Sequence, residues 1–142
     1  MNSDATMLIQ ALGLQPHPEG GWYRETWRAE GVDGARSPAT AVLYLLEEGQ
    51  RSRWHKVDAT EMWLFHAGSS LKLQIAPSEG GPILTTRLGA DVLAGDEPQL
   101  RIEPYQWQSA EADRGWGLIS CLVVPGFEFS GFTMAPDGWS PG

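Results

Sequence analysis

The chain has 142 residues, 42% of them hydrophobic and 20% charged, which describes a globular domain and excludes a disordered one. Its formal net charge of −8 and pI near 4.7 set its average field against a phosphate backbone, and no Lys/Arg-rich run offsets that field. Nucleic-acid binding is therefore not expected. Cys121 is the only cysteine, so an internal disulfide and a cysteine-cluster zinc site are both ruled out. The polar start, Met1 to Asp4, lacks a signal-peptide pattern, and no apolar run reaches membrane-span length. A cytoplasmic protein with no membrane partner is the expectation.

In chain order, residues 4–12 read as a short helix. Ser3 or Asp4 can cap it, Leu8, Ile9 and Leu12 share one face, and Gly13 suits its exit. Pro16 and Pro18 forbid its continuation. Strand-favouring residues follow Gly20–Gly21: Trp22, Tyr23, Thr26 and Trp27. Short apolar runs then alternate with turn clusters, as they do in all-β folds. The runs are Ala41–Leu46, Arg53–Val57, Glu61–Phe65, Leu71–Ile75, Ile83–Leu88, Leu100–Ile102 and Leu118–Val124. The last is apolar on both faces and should be a central strand. Gly and Pro, at 17 and 10 residues, supply the turns between runs. Residues 136–142 read as a loose tail, with Trp139 the residue that could pin it. One domain spanning 1–142 is the expected organisation.

Of three histidines, His17 sits in a rigid Pro-rich turn and His66 is out of register with Glu61, Trp63 and Phe65. His55 shares a predicted strand face with Arg53 and Val57, and a hairpin would bring it beside Glu61. An imidazole next to a carboxylate can transfer protons or supply two ligands of a metal. Trp63 and Phe65 share the face of Glu61, so this face combines a His/Glu pair with an aromatic wall. Strand parity also places Tyr23, Glu25 and Trp27 together, which makes Glu25 a further pocket candidate.

The spacing of these residues carries a resemblance. Gly49, His55, Val57, Glu61 and Gly68, separated by five, one, three and six residues, resemble the first signature of the cupin superfamily, with valine at the second histidine position. The stretch from Pro16 to Thr26 (PHPEGGWYRET) resembles a small single-domain, functionally uncharacterised Cupin_5-type family. Tyr44-Leu45-Leu46, Trp54-His55, Glu61-Met62-Trp63, Ala94-Gly95, Trp107-Gln108 and Pro125-Gly126-Phe127 extend the likeness over about residues 8 to 135. The resemblance implies a double-stranded β-helix, or jelly-roll barrel, with an internal pocket and a homodimeric assembly.

It also implies a metal held by three histidines and a glutamate in the metal-dependent members. Here His55 and Glu61 match two positions, Val57 has no lone pair to donate, and Ser109 falls where the second signature's histidine would be. No cofactor is therefore expected, with His55 and Glu61 the ligands if a divalent ion were bound. Three readings follow. One is a metal-independent isomerase- or epimerase-like enzyme acting on a carbohydrate-like or other small polar substrate. In it His55 is the base, Glu61 orients it, and Tyr44 or Tyr105 is the acid. In that enzyme reading Arg53, on the face of His55, could meet an anionic substrate. Another reading is a ligand-binding or sensor protein, with Trp63, Phe65, Tyr105 and Trp107 stacking on the ligand. A metal-dependent oxygenase or isomerase is the reading that Val57 disfavours.

Overall fold

A computed structural model describes residues 3–142. The polar start read at Met1 and Asn2 lies outside the described residues. Helix α1 (Asp4–Leu12) begins where Ser3 accepts a hydrogen bond from the amide of Thr6 at 3.1 Å. It ends at Gly13, whose left-handed backbone (φ +65°) turns the chain out of the helix.

Eleven antiparallel strands follow. In chain order they are β1 (Gln15–Pro16), β2 (Trp22–Arg28), β3 (Thr40–Leu46), β4 (His55–Val57), β5 (Thr60–Gly68) and β6 (Leu71–Ala76). The rest are β7 (Leu84–Leu88), β8 (Gln99–Ile102), β9 (Trp107–Glu111), β10 (Gly117–Val124) and β11 (Phe132–Met134). They form a six-stranded sheet, β1-β2-β3-β10-β5-β8, and a five-stranded sheet, β11-β4-β9-β6-β7. Two facing antiparallel sheets with these crossovers make the jelly-roll barrel that the sequence resemblance implied.

Alternation explains the core. In β6 the side chains of Leu71 and Leu73 point between the sheets and are fully buried, while Lys72 and Gln74 remain half-buried on the other face. Tyr44, Leu46, Trp63, Leu88, Ile102 and Ile119 join them from both sheets. The apolar run in β10 does occupy the centre of its sheet, paired with β3 and β5. Its outward residue Leu118 lies under α1, with Leu45 and Ala5. Burial on both faces is what made that run continuously apolar.

Several expectations need correction. Strands β9 and β11 were not anticipated: β9 carries Gln108 and Ser109 where an apolar alternation would have marked a strand, and β11 is three residues long. The tail is not loose. Trp139 stacks on Trp107 at 4.6 Å between ring centroids, and the Gly142 amide donates to the Glu79 carbonyl at 2.8 Å. Trp27 does not follow Glu25 inward, because a bulge between them breaks the period of two and leaves Trp27 53% exposed.

The expected His55–Glu61 hairpin is also absent. Only Asp58 and Ala59 separate β4 from β5, yet β4 pairs with β9 and β11 while β5 pairs with β8 and β10. The chain crosses from one sheet to the other at this corner. His55 and Glu61 therefore approach from opposite walls of the barrel.

Candidate functional site

A cavity of about 600 Å³ opens between the sheets. Its floor is assembled by the turn 16–21 pressing into the barrel mouth. There the His17 amide donates to the Gly21 carbonyl (2.9 Å), the Gly20 amide donates to the His17 carbonyl (3.0 Å), and the Glu19 amide donates to Nδ1 of His17 (3.0 Å). Gly20 has φ +108°, and a Cβ there would stand 2.4 Å from the Arg51 carbonyl oxygen. Only glycine fits both restrictions. The turn is tied down when the Arg53 amide donates to the Glu19 carbonyl at 2.7 Å and the Tyr44 hydroxyl donates to the Gly20 carbonyl. The consequence is a glutamate side chain driven inward to line the cavity, 7% exposed.

His55, 2% exposed, meets this carboxyl group. Its Nδ1 lies 2.7 Å from the Arg53 carbonyl oxygen and 3.1 Å from Oε2 of Glu19. A carbonyl can only accept, so Nδ1 carries the proton and Nε2 holds the lone pair. On the opposite wall, Glu61 accepts from Nε2 of Gln108 at 2.9 Å, and Gln108 accepts through Oε1 from the Trp63 indole at 2.8 Å. Cys121 lines the cavity beside Glu61 from β10.

Burial dominates the ionisation of this cluster. It pushes Glu19 up to about 8, with the Tyr44 hydroxyl opposing only in part. Burial also raises Glu61, against the pull of His55, and lowers His55, against the pull of Glu61. His17 is lowered to about 4, first by burial and then by proximity to His55. Tyr44 and Cys121 are pushed well above their ordinary values by the same desolvation. Near neutral pH the floor thus presents two neutral imidazoles and a Glu19 that mostly keeps its proton.

Of the residues expected at the site, Tyr44, His55, Glu61 and Glu25 line the cavity. Glu25 is on the rim, held by Arg28 through bonds of 2.8 and 2.7 Å. Arg53, Trp63, Phe65, Tyr105 and Trp107 do not line it. Arg53 precedes β4, so strand alternation does not govern it, and its guanidinium donates to the Ala135 carbonyl at 2.6 Å. Trp63 faces inward but is 1% exposed, closed off behind Tyr44 and Gln108. Phe65 packs on the core beyond it. Tyr105 sits in a left-handed turn (φ +67°) and is 61% exposed. Trp107 lies on the outer face of its sheet, against Trp54, Ala76 and Trp139, because β9 turns Gln108 inward.

His17, Glu19 and Cys121 complete the floor, and Phe127, Phe129 and Phe132 give the cavity an aromatic wall. None of these six was picked from the sequence. The Pro-rich turn followed by paired glycines was the available signal for the first two, since such a turn can carry its side chains into a barrel mouth.

The donor set does not suit the metal centre of metal-dependent cupins. Val57 lines the cavity with an apolar side chain. The β9 residue that faces Glu61 is Gln108, both ends of whose amide are engaged, while Ser109 turns away and donates to the Ser52 carbonyl at 2.7 Å. Among the described residues, no three His, Cys, Asp or Glu side chains are grouped so as to hold an ion. No helix among them is long and apolar enough to cross a membrane.

Comparison with solved structures places this architecture. A protein of Shewanella oneidensis superposes with a TM-score of 0.84 at 36% identity, covering 95% of this chain and 85% of that one. A hypothetical protein of Leishmania major gives a TM-score of 0.84 at 27% identity, covering 94% and 88%. Oxalate decarboxylase of Bacillus subtilis shares the fold (TM-score 0.65, 16% identity), with 84% of this chain covering 29% of the enzyme. No curated protein matches the chain. The Cupin_5 family model, described as cupin superfamily (DUF985), matches residues 6–135, and the chain belongs to that family.

Proposed function

We propose that this cupin binds a small polar molecule, carbohydrate-like in its hydroxyl and carbonyl groups, and moves a proton on it without a metal ion. The observation that carries this reading is the state of His55. It is buried, neutral and locked through Nδ1 onto the Arg53 carbonyl, which leaves the Nε2 lone pair for a substrate proton. Glu19, which mostly keeps its proton near neutral pH, lies 3.1 Å from Nδ1 and presents the ring with little carboxylate charge that would favour the imidazolium. Glu61 lines the same cavity and is held by Gln108. The base is thus set within a preformed and largely apolar chamber, the ordinary form of a small-molecule site. A homodimer acting in the cytoplasm is part of the same proposal.

Binding without turnover is the second reading. It is favoured by the Tyr44 hydroxyl, the acid expected from sequence, which is engaged by the Gly20 carbonyl. Native mass spectrometry of the intact protein, followed by deuterium exchange into the released molecule in D₂O, separates the two. Turnover predicts that wild-type protein exchanges one carbon-bound hydrogen and that His55→Gln slows this by about 10²-fold or more. A molecule that binds to both proteins and exchanges with neither would leave a sensor. Exchange that survives His55→Gln would remove His55 as the base.

A further inference from the structure

His17 and His55 face one cavity with opposite tautomers, and both tautomers are dictated by the backbone. Nδ1 of His17 receives the Glu19 amide at 3.0 Å, and an amide N–H can only donate. That nitrogen therefore holds the lone pair, and the neutral ring carries its proton on Nε2. Nδ1 of His55 faces the Arg53 carbonyl at 2.7 Å, so its proton is on Nδ1 and its lone pair on Nε2. Among the described residues, neither Nε2 has a protein partner, and neither is sealed away as an unsatisfied buried atom. Both are left to the cavity they line.

One side chain packs near both rings. Phe132 lies 6.3 Å from His17 and 5.4 Å from His55, centroid to centroid. Tyr23 and Tyr44 pack edge-on against His17 at 4.5 and 5.8 Å. The two imidazoles are close enough that a charge on His55 disfavours one on His17. A neutral His17 persists across the physiological range, since its pKa is lowered to about 4. A neutral imidazole N–H can polarise a carbonyl without giving up its proton.

We propose that His17 Nε2–H and His55 Nε2 form a matched donor and acceptor for a small hydroxy-aldehyde or hydroxy-ketone. This deepens the proton-transfer reading of the cavity and rests on it. In the step, the C–H bond beside the carbonyl breaks and its proton passes to Nε2 of His55. The C–H electron pair becomes the C=C bond of an enolate, and the carbonyl π pair moves onto oxygen. There the Nε2–H of His17 donates a hydrogen bond to the developing charge. The imidazolium of His55 exchanges its proton with solvent and returns one to the same carbon, so no atom or electron is gained or lost overall. His17 is a catalytic residue in this scheme because it touches the reacting oxygen. Val42, Val57 and Val123 line the same space and keep that charge in an apolar setting.

The test uses the intact protein with dihydroxyacetone and glyceraldehyde in D₂O, following loss of the carbon-bound proton signal by NMR. Nitrogen-15 spectra of the histidine rings are recorded in parallel. The variant is His17→Asn, whose Oδ1 can still accept the Glu19 amide in an Asx-type turn but which lacks the ring donor. Wild-type protein should catalyse exchange, and His17→Asn should lower kcat by about 10²-fold, the usual effect of losing one such donor. KM should move little, and the spectra should show protonated Nε2 in His17 and protonated Nδ1 in His55.

Exchange unaltered by His17→Asn, or a His17 ring protonated on Nδ1, would overturn the pairing while leaving His55 as base. Failure of wild-type protein to exchange either probe would overturn the carbonyl substrate class. If His55→Gln still exchanged the probes, His55 would fall as the base of the underlying reading, and the pairing with it. Circular dichroism of His17→Asn separates a lost donor from a lost fold, and Asp in place of Asn, which also accepts the amide, should reproduce the kinetic defect.

Discussion

Carboxyl groups lie both inside the barrel and on its outer surface, and the two sets ionise in opposite directions. Inside, Glu19 is pushed up to about 8 and Glu61 is raised as well. Outside, Asp58 is held low by the Arg36 fork, with bonds of 2.9 and 2.8 Å. Asp113 is held low by Arg87 in the same way. The residue types are alike, and what differs is the company. Arg53, two residues before His55, spends its guanidinium on the Ala135 carbonyl instead of on a carboxylate. Inside, no guanidinium among the described residues forks onto Glu19 or Glu61, and desolvation outweighs the opposing pull of Tyr44 on the first and of His55 on the second, which favours neutral, proton-carrying forms. At the surface, Arg–carboxylate geometry decides, and the groups stay charged.

The largest effect that could break this contrast is a pH effect centred on Glu19. The unfolded carboxyl ionises near 4.5 and the folded one near 8, so between these values the folded state binds more protons. Stability should therefore fall as pH rises from 4.5 to 8, by roughly 4 kcal/mol in all. His17 acts oppositely at lower pH. Its unfolded ring takes a proton below 6.5, while the folded ring resists until about 4, so stability also falls as pH drops through that window. The Glu19 contribution is thus cleanest between pH 6.5 and 8. Across that range the stability of Glu19→Gln, read from urea unfolding, should exceed that of wild type by a margin that widens as pH rises, by about 2 kcal/mol between pH 6.5 and 8. Parallel curves would mean that Glu19 is ionised inside the barrel.

A smaller effect is expected at the opposite wall. Gln108→Leu strands the Trp63 indole N–H and removes one partner of the Glu61 carboxyl group. Denaturant unfolding should show a loss of about 2 kcal/mol. A loss near zero would show that water replaces the amide and that this part of the interior is wetter than its burial suggests. The smallest effect belongs to the rim. Glu25→Ala breaks the Arg28 fork at an exposed position and should cost at most about 0.5 kcal/mol, less at high salt. A rim loss as large as the one at Gln108 would erase the distinction between inside and outside.

Much of the fold was legible in advance because it rests on local patterns. The cap at Ser3, the exit at Gly13 and the alternation of Leu71, Leu73 and Ile75 are each decided by a few neighbouring residues. The central position of β10 followed from its two apolar faces. Strand β9 was hidden because its inward residue is the polar Gln108, which satisfies a buried network instead of adding to an apolar stripe. Parity misled at Trp27, where a bulge adds a residue, and at Arg53, which lies before its strand begins. Tyr105 escaped by adopting a left-handed turn.

The site divides along the same line. His55 and Glu61 could be chosen from their spacing, and both do line the cavity, though from facing walls instead of adjacent strands. His17 and Glu19 could not, because their roles depend on a turn seated against Arg51, Arg53 and Tyr44, residues some thirty positions away in the chain. By itself, then, the sequence determined the barrel, the family and four of the residues that line the cavity, Glu25, Tyr44, His55 and Glu61, since periodicity, capping and motif spacing are properties of the chain. The tertiary structure alone decided which tryptophans fill the core and which side chains meet in the cavity. It also decided which nitrogen of each imidazole carries the proton. Desolvation and hydrogen-bond geometry act between segments that only folding brings together.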